Sequence, residues 1–339
     1  MNSPRVGVAS LGGTITMTPG STDPTVSPTL GAEELIAAVP ALRQVAHLEA
    51  KTLASLPGAS LSFDDVLRAL RWAEAAVDGG CAGAVLIQGT DTLEETAYLL
   101  DLLWDRPEPL VLTGAMRAPS APGAEGPANL LSAVITAGAP HSHHVGAVVV
   151  MNDKVHAASR VRKSDATDVD AFTSPDFGPL GRLREGCVTY GNRPSRWPRL
   201  PMPMAGAHPR VALLETSLGD DGRILCLALE DNYDGAVISA FGAGHVPREV
   251  AAAVGTAAER IPVVFASRTG AGTTLNNTYD FSGSESDMIR HGALAAGWLD
   301  ARKARILLWT LLAGGSTPAA IAAEFARRGG SPGGPILSS

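Results

Sequence analysis

Short apolar runs that break off at glycine recur down the first half of the chain, and the stretches between them carry the spacing of amphipathic helices. No other feature restricts the fold as much. Residues 6–10 run into Gly12-Gly13, and residues 84–88 run into Gly89. Residues 32–39 read as a short helix stopped by Pro40. Over 63–77, Phe63, Val66, Leu67, Leu70 and Ala73 share one face, the pattern of a helix lying on a sheet, and Asp78-Gly79-Gly80 ends it. A further helix is expected over 93–104, with Thr92 as its N-cap. Glu94 and Glu95 fall in its first turn, where the positive end of the helix dipole favours carboxylates. Apolar runs at 110–113 and 145–151 flank a helical pattern at 129–137. Strands alternating with helices of this length imply an α/β fold with a doubly wound parallel sheet.

The rhythm breaks over 192–210, which holds five prolines and no sustained apolar period. It restarts with strands at 211–215, 235–241 and 262–267 and helices at 247–260, 301–312 and 318–327. The expected organisation is a larger N-terminal catalytic domain over 1–191, a linker over 192–210 and a smaller C-terminal α/β domain over 211–339. The tail from 329, rich in Gly, Ser and Pro, is expected to be loosely held. With 339 residues, 45% of them hydrophobic, the chain has apolar material for two cores.

Charge and cysteine content narrow the function classes. A formal net charge of -7 with no basic stripe argues against nucleic acid or an anionic membrane surface as partner and points to a small-molecule substrate. No apolar run approaches the roughly 18 residues of a membrane span. Cys81, Cys187 and Cys226 are odd in number and widely spaced, which fits neither a disulfide framework nor a zinc site. They read as buried small hydrophobes in a reducing compartment. No apolar leader segment precedes the run at 6–10, so a cytoplasmic protein is expected. His141, His143 and His144 read as an exposed loop, since a metal site wants ligands on a rigid element.

Two threonines stand out against this frame. Thr14 in Leu11-Gly12-Gly13-Thr14-Ile15 and Thr90 in Gln88-Gly89-Thr90-Asp91-Thr92 each follow the carboxyl end of an expected parallel strand, where open α/β sheets place their ligands. Taken alone, the first motif is also an ordinary tight turn and the second a helix cap. A dinucleotide fingerprint is disfavoured, because the third glycine and the helix directly after it are missing. A threonine hydroxyl is scarcely ionised at neutral pH and needs a neighbour to take its proton. The chain has four lysines, Lys51, Lys154, Lys163 and Lys303, against 23 arginines. Arginine keeps its proton and cannot serve as a base, which makes Lys163, close to Arg160 and Arg162, notable.

The segment Val85-Leu86-Ile87-Gln88-Gly89-Thr90-Asp91-Thr92-Leu93-Glu94-Glu95-Thr96-Ala97-Tyr98 resembles the second signature of the bacterial-type L-asparaginase family, and the strand leading to Leu11-Gly12-Gly13-Thr14-Ile15 resembles the first. The likeness continues through Thr113-Gly114-Ala115-Met116-Arg117, Val150-Met151-Asn152-Asp153, residues 165–172 and 174–180, and Lys303-Ala304-Arg305-Ile306-Leu307-Leu308. It covers nearly the whole chain in order.

The resemblance implies hydrolysis of the side-chain amide of L-asparagine to L-aspartate and ammonia, without metal or cofactor. Broader activity on glutamine, or a catalytically weak amino-acid-binding relative, are the alternatives. By position Thr14 matches the family's nucleophile, Thr90 and Asp91 its second threonine and aspartate, and Lys163 its lysine. A lysine in a partly desolvated site can have its pKa lowered enough to act as base. Asp91 also suits the substrate ammonium, and Thr90 and Ala115 join it in the substrate set. For the carboxylate the family places a serine before the second helix, and Ser60 or the backbone of Ala59 takes that place here, with Ser62 open to helix capping. Glu285 matches an acid that reaches the ammonium from a neighbouring subunit, which implies a homodimer or homotetramer with shared sites. Two positions depart from the family pattern. The loop over 21–26 lacks the usual tyrosine, and Ala243 stands where an asparagine is common.

Overall fold

A computed structural model describes residues 3–19 and 26–330. The chain divides into two compact units, Met1–Arg199 and Leu200–Ser339, with the division falling inside the proline-rich stretch 192–210.

In the first unit the elements run β1 (Arg5–Gly12), β2 (Met17–Pro19), β3 (Val26–Pro28), α1 (Ala32–Ala37), α2 (Leu42–Val45), β4 (His47–Leu56), α3 (Phe63–Asp78), β5 (Ala84–Ile87), α4 (Leu93–Leu103), β6 (Leu110–Thr113), α5 (Gly126–Gly138), β7 (Ala147–Met151), β8 (Lys154–Ala157), β9 (Arg162–Lys163), β10 (Phe172–Thr173), β11 (Gly181–Arg184) and β12 (Cys187–Tyr190). Eight strands form one sheet in the order β12-β11-β8-β7-β6-β5-β1-β4. The five from β4 to β7 are parallel, and β8, β11 and β12 extend the far edge as antiparallel strands.

Both faces of the parallel strands are covered, which is why β5, β6 and β7 read as unbroken apolar runs and are buried throughout. On one face Val6, Val8, Val85, Ile87, Val111 and Val148 pack with Leu35, Leu42, Leu130 and Val134 of α1, α2 and α5. On the other, α3 lies so close to β1 that a Cβ on Gly7 would meet Ala76 at 3.0 Å and the Trp72 ring at 3.1 Å. The chain leaves β1 toward β4 on one side and leaves β5 toward β6 on the other. A crevice therefore opens beyond the carboxyl ends of β1 and β5, the place where the strand order reverses.

The end of the first unit is fastened by arginines at every third position. Arg193 donates to the carbonyls of His141 and His143, Arg196 to Asp101 and the Trp104 carbonyl, and Arg199 pairs with Asp105.

The second unit holds β13 (Val211–Glu215), α6 (Arg223–Glu230), β14 (Gly235–Ala240), α7 (Arg248–Ala258), β15 (Val263–Ser267), α8 (Glu285–Arg290), β16 (Leu294–Ala295), α9 (Ala301–Ala313) and α10 (Pro318–Gly329). Its four strands are parallel and in sequence order. Ile238 and Phe265 pack with Leu225, Val250, Val254 and Met288 of the helices. Asp300 caps α9 and receives the ammonium of the buried Lys303 at 3.0 Å. Burial opposes the charge on Asp300, but Lys303 outweighs it and holds the carboxyl below its usual range. Of the three cysteines expected to be buried, Cys81 is, whereas Cys187 is exposed on the short edge strand β12 and Cys226 is half-buried on α6. Among the described residues, no helix is long and apolar enough to cross a membrane.

Candidate active site

Three glycines bring the ends of β1, β4 and β5 into backbone contact. Gly12 and Gly13 take φ of +107° and +89°, values that favour glycine. A Cβ on Gly13 would lie 2.1 Å from the Gly89 nitrogen, and one on Gly58 would lie 2.9 Å from the Gly89 carbonyl. Conversely, a Cβ on Gly89 would lie 2.6 Å from the Gly58 nitrogen. No side chain fits at any of the three, so Thr14, Ala59 and Thr90 each follow directly on a point where main chains touch. A fourth turn joins them: a Cβ on Gly114 would lie 2.5 Å from the Gln88 carbonyl and 3.4 Å from the Thr90 methyl. The buried Ala115 comes next.

Lys163 reaches this junction from β9, whose pairing with β10 seats it opposite the buried Phe172. Its ammonium donates to Thr90 Oγ1 at 3.0 Å and to Asp91 Oδ1 at 3.3 Å. Its backbone N–H donates to Glu94 Oε2 at 2.5 Å. One residue is thus gripped at both ends by the start of α4. Thr90 is buried, Asp91 is open to solvent and Lys163 is mostly covered, so the charged pair lies at the mouth and the hydroxyl beneath it.

Thr14 opens a single turn, Thr14–Thr16, in which the Gly13 carbonyl accepts from Thr16 N at 2.9 Å and Thr16 Oγ1 at 2.7 Å. No described residue hydrogen-bonds the Thr14 hydroxyl. The Gly58–Ser60 turn leaves Ala59 and Ser60 exposed. Ser62, not Ser60, caps α3: its hydroxyl accepts from Asp65 N, and Asp65 bonds back to the Ser62 amide. The Ser62 hydroxyl, with Arg68 nearby, holds the Asp65 carboxyl below the usual range.

At Thr92 the sequence expectation is half met. The residue occupies the N-cap position of α4, but its side chain caps nothing. Its hydroxyl instead donates to the Gly58 carbonyl at 2.8 Å, because the Gly58 turn lies against Gly89 and offers a closer acceptor than the helix offers donors. The amide of the buried Gln88 lies 3.5 Å from that hydroxyl and 3.3 Å from the Gly89 carbonyl. Gln88 and Glu94 are the site residues the sequence reading did not single out. Gln88 carried a signal, a polar residue closing an apolar strand, whereas Glu94 reads as an ordinary first-turn acid and only the structure shows it buried.

Glu285 lies in the second unit and is wholly buried. Its Oε1 accepts from the amides of Thr278 and Tyr279, each at 2.7 Å, and its Oε2 faces His245 Nε2 at 3.1 Å. Burial works against its charge, but the Tyr279 and Thr278 amides and His245 prevail and keep its carboxyl below the usual range. The rings of Tyr279 and Phe281 meet His245 edge-on at 4.9 and 5.1 Å. Ala243 lies in the turn closed by Phe241 and His245 and accepts from Leu275 N at 2.9 Å. Of the loop expected to lack a tyrosine, 21–25 lie outside the described residues and Val26 begins β3.

Comparison with known proteins bears on the family and the fold. Residues 5–196 match the family model "Asparaginase, N-terminal", and 210–325 match "Glutaminase/Asparaginase C-terminal domain". The chain is 32% identical over 284 residues to L-asparaginase 2 of Escherichia coli, covering 82% of this chain and 80% of that one. It is 38% identical over 238 residues to a probable L-asparaginase of Deinococcus radiodurans, covering 69% of this chain and 72% of that one. The crystal structure of a probable cytoplasmic L-asparaginase from Campylobacter jejuni superposes with a TM-score of 0.85 at 30% identity, over 95% of this chain and 99% of the other. Motifs, sheet topology and both halves of the sequence agree: the chain belongs to the bacterial-type asparaginase family.

Proposed function

We propose that Thr14 attacks the side-chain amide carbon of L-asparagine, with Thr90, Asp91 and Lys163 as the group that activates it. The chain is an amidohydrolase of the L-asparaginase type, and the roles of its residues are what is proposed. The observation that carries the assignment is the hold of Lys163 on Thr90 and Asp91 beside the Gly13–Gly89 contact. The Thr14 proton passes to Lys163 Nζ, which acts as base in its neutral amine form, as the C–O bond forms. The amide nitrogen takes a proton and leaves as ammonia, and water then cleaves the acyl-threonine to release L-aspartate. Asp91 faces the substrate ammonium. Ser60 and the Ala59 backbone hold the α-carboxylate, and Ala115 lines the site. We assign Glu285 to the ammonium of substrate in a neighbouring subunit of a homodimer or homotetramer, with His245 as the group that must release its Oε2. The cytoplasm is the proposed location.

Ammonia release from asparagine and from glutamine tests the reading. Lys163→Met is expected to lose ~10² to 10⁴ in kcat, the range for base catalysis, and Thr14→Ala at least as much, because it removes the nucleophile itself, with both variants folded. Single-turnover quenching should trap acyl-Thr14. Turnover in Thr14→Ala within a few-fold of the parent would remove it as nucleophile.

A further inference from the structure

We infer that Thr92 is a positioning residue for substrate: its hydroxyl ties the turn that holds the α-carboxylate to the turn that carries Thr90 and Asp91. The inference rests on the proposed role of Ala59 and Ser60.

An N-cap threonine ordinarily accepts a hydrogen bond from the first turn of its helix. Ser62 at the start of α3, Ser284 at α8 and Thr317 at α10 all do so. Thr92 does not, and α4 begins without a side-chain cap although the right residue is in place. Its hydroxyl points across the chain to a carbonyl 34 residues earlier, that of Gly58. A local rule broken where a good cap was available marks a site where another demand has won.

The demand is visible in what the bond joins. Gly58 begins the Gly58–Ser60 turn, whose other internal ties are the bonds from Ser60 N to Pro57 O at 3.0 Å and from Leu61 N to Gly58 O at 3.4 Å. That turn is exposed at Ala59 and Ser60 and meets Gly89 only through main-chain contact. Contact between glycines fixes how near two strands of backbone lie, but it does not fix how one slides along the other. A directed hydrogen bond does. Thr92 supplies it, and the Gln88 amide beneath braces the hydroxyl from the strand side. Beyond the β4–β1–β5 register, which ends at Leu56 and Ile87, the placement of the carboxylate-holding turn against Thr90 and Asp91 is thereby held by a hydroxyl that is spent on the Gly58 carbonyl.

A substrate carrying both an ammonium and a carboxylate feels that distance in its affinity. Thr92→Val keeps the shape and removes the donor. It should raise KM for asparagine and weaken inhibition by aspartate, which has the same two groups, by about five- to tenfold each, the range for one lost hydrogen bond. The expected kcat stays within about threefold, and Thr92→Ser should restore KM. Thr92→Ala is the second variant should valine disturb packing, with the same expectation.

KM and aspartate inhibition within about twofold of the parent in a folded Thr92→Val or Thr92→Ala overturn the inference, as does a fall in melting temperature alone, which is what a mere helix cap would give. Ser60→Ala, measured alongside, separates the two ideas. A raised KM there with none in Thr92→Val removes only the tie, whereas an unchanged KM in both removes the carboxylate turn as well.

Discussion

A methyl group at position 13 has nowhere to go. It would sit 2.1 Å from the Gly89 nitrogen on a backbone already at φ +89°, and no flexible side chain stands in the way to yield. Gly13→Ala should therefore cost about 3 kcal/mol or more of stability, through strain and a main-chain clash together. Because it shifts Thr14 against Thr90, it should also lower turnover by about two orders of magnitude. Denaturant melts and steady-state assays read the two separately, and a fully active Gly13→Ala would show that the contact is slack. At this scale the sequence was most legible where a residue's chemistry is rare: a threonine directly after the glycine that ends each of two strands, and a lysine in a chain that prefers arginine. It was least legible where a common residue does an uncommon thing. Thr92 has every mark of a cap, and only the approach of Gly58 from 34 residues away redirects it.

Among the elements, the buried ones announced themselves and the half-exposed ones did not. β5 and β6 are covered on both faces and appear as apolar runs. β4 lies at the sheet edge, with Glu49, Lys51 and Thr52 exposed along it, so neither an apolar run nor a clean alternation marks it. The antiparallel strands β8, β11 and β12 are four residues each, too short for a period to emerge. The arginine row at 193, 196 and 199 is legible afterwards, by its spacing, but its partners, at the end of α4 and in the segments after α4 and α5, are remote in sequence. Arg196 is the best buried of these anchors against Asp101, which also accepts from Ala147 N at 3.0 Å. Arg196→Ala should destabilise by about 2 kcal/mol, the cost of losing charge-assisted hydrogen bonds. Thermal melts of Arg196→Ala and Arg193→Ala check the order, with the second expected to be the milder.

For the whole molecule, acid should act first on a histidine. His156 is 1% exposed and bonds Ser174 Oγ at 2.8 Å, while its Nε2 has no partner among the described residues. Burial, with Lys154 and Arg182 adding to it against Asp170, pulls its pKa from 6.5 to about 4. The unfolded chain therefore binds this proton at a pH where the folded chain does not. The stabilisation is complete above pH ~6.5 and falls away as pH drops toward ~4, by about 3 kcal/mol in all. Glu285 and Asp300, both held below the usual carboxylate range, add their losses only at lower pH. Melting temperatures of the parent should drop between pH 7 and 5 and those of His156→Asn much less, and parallel curves would exclude the histidine. The main-chain junction of Gly13, Gly58 and Gly89 bears on any attempt to redesign this enzyme. A library that randomises these positions will return mostly unfolded clones. One that varies the exposed Ala59 and Ser60, to which we assign the substrate carboxylate, leaves that junction intact.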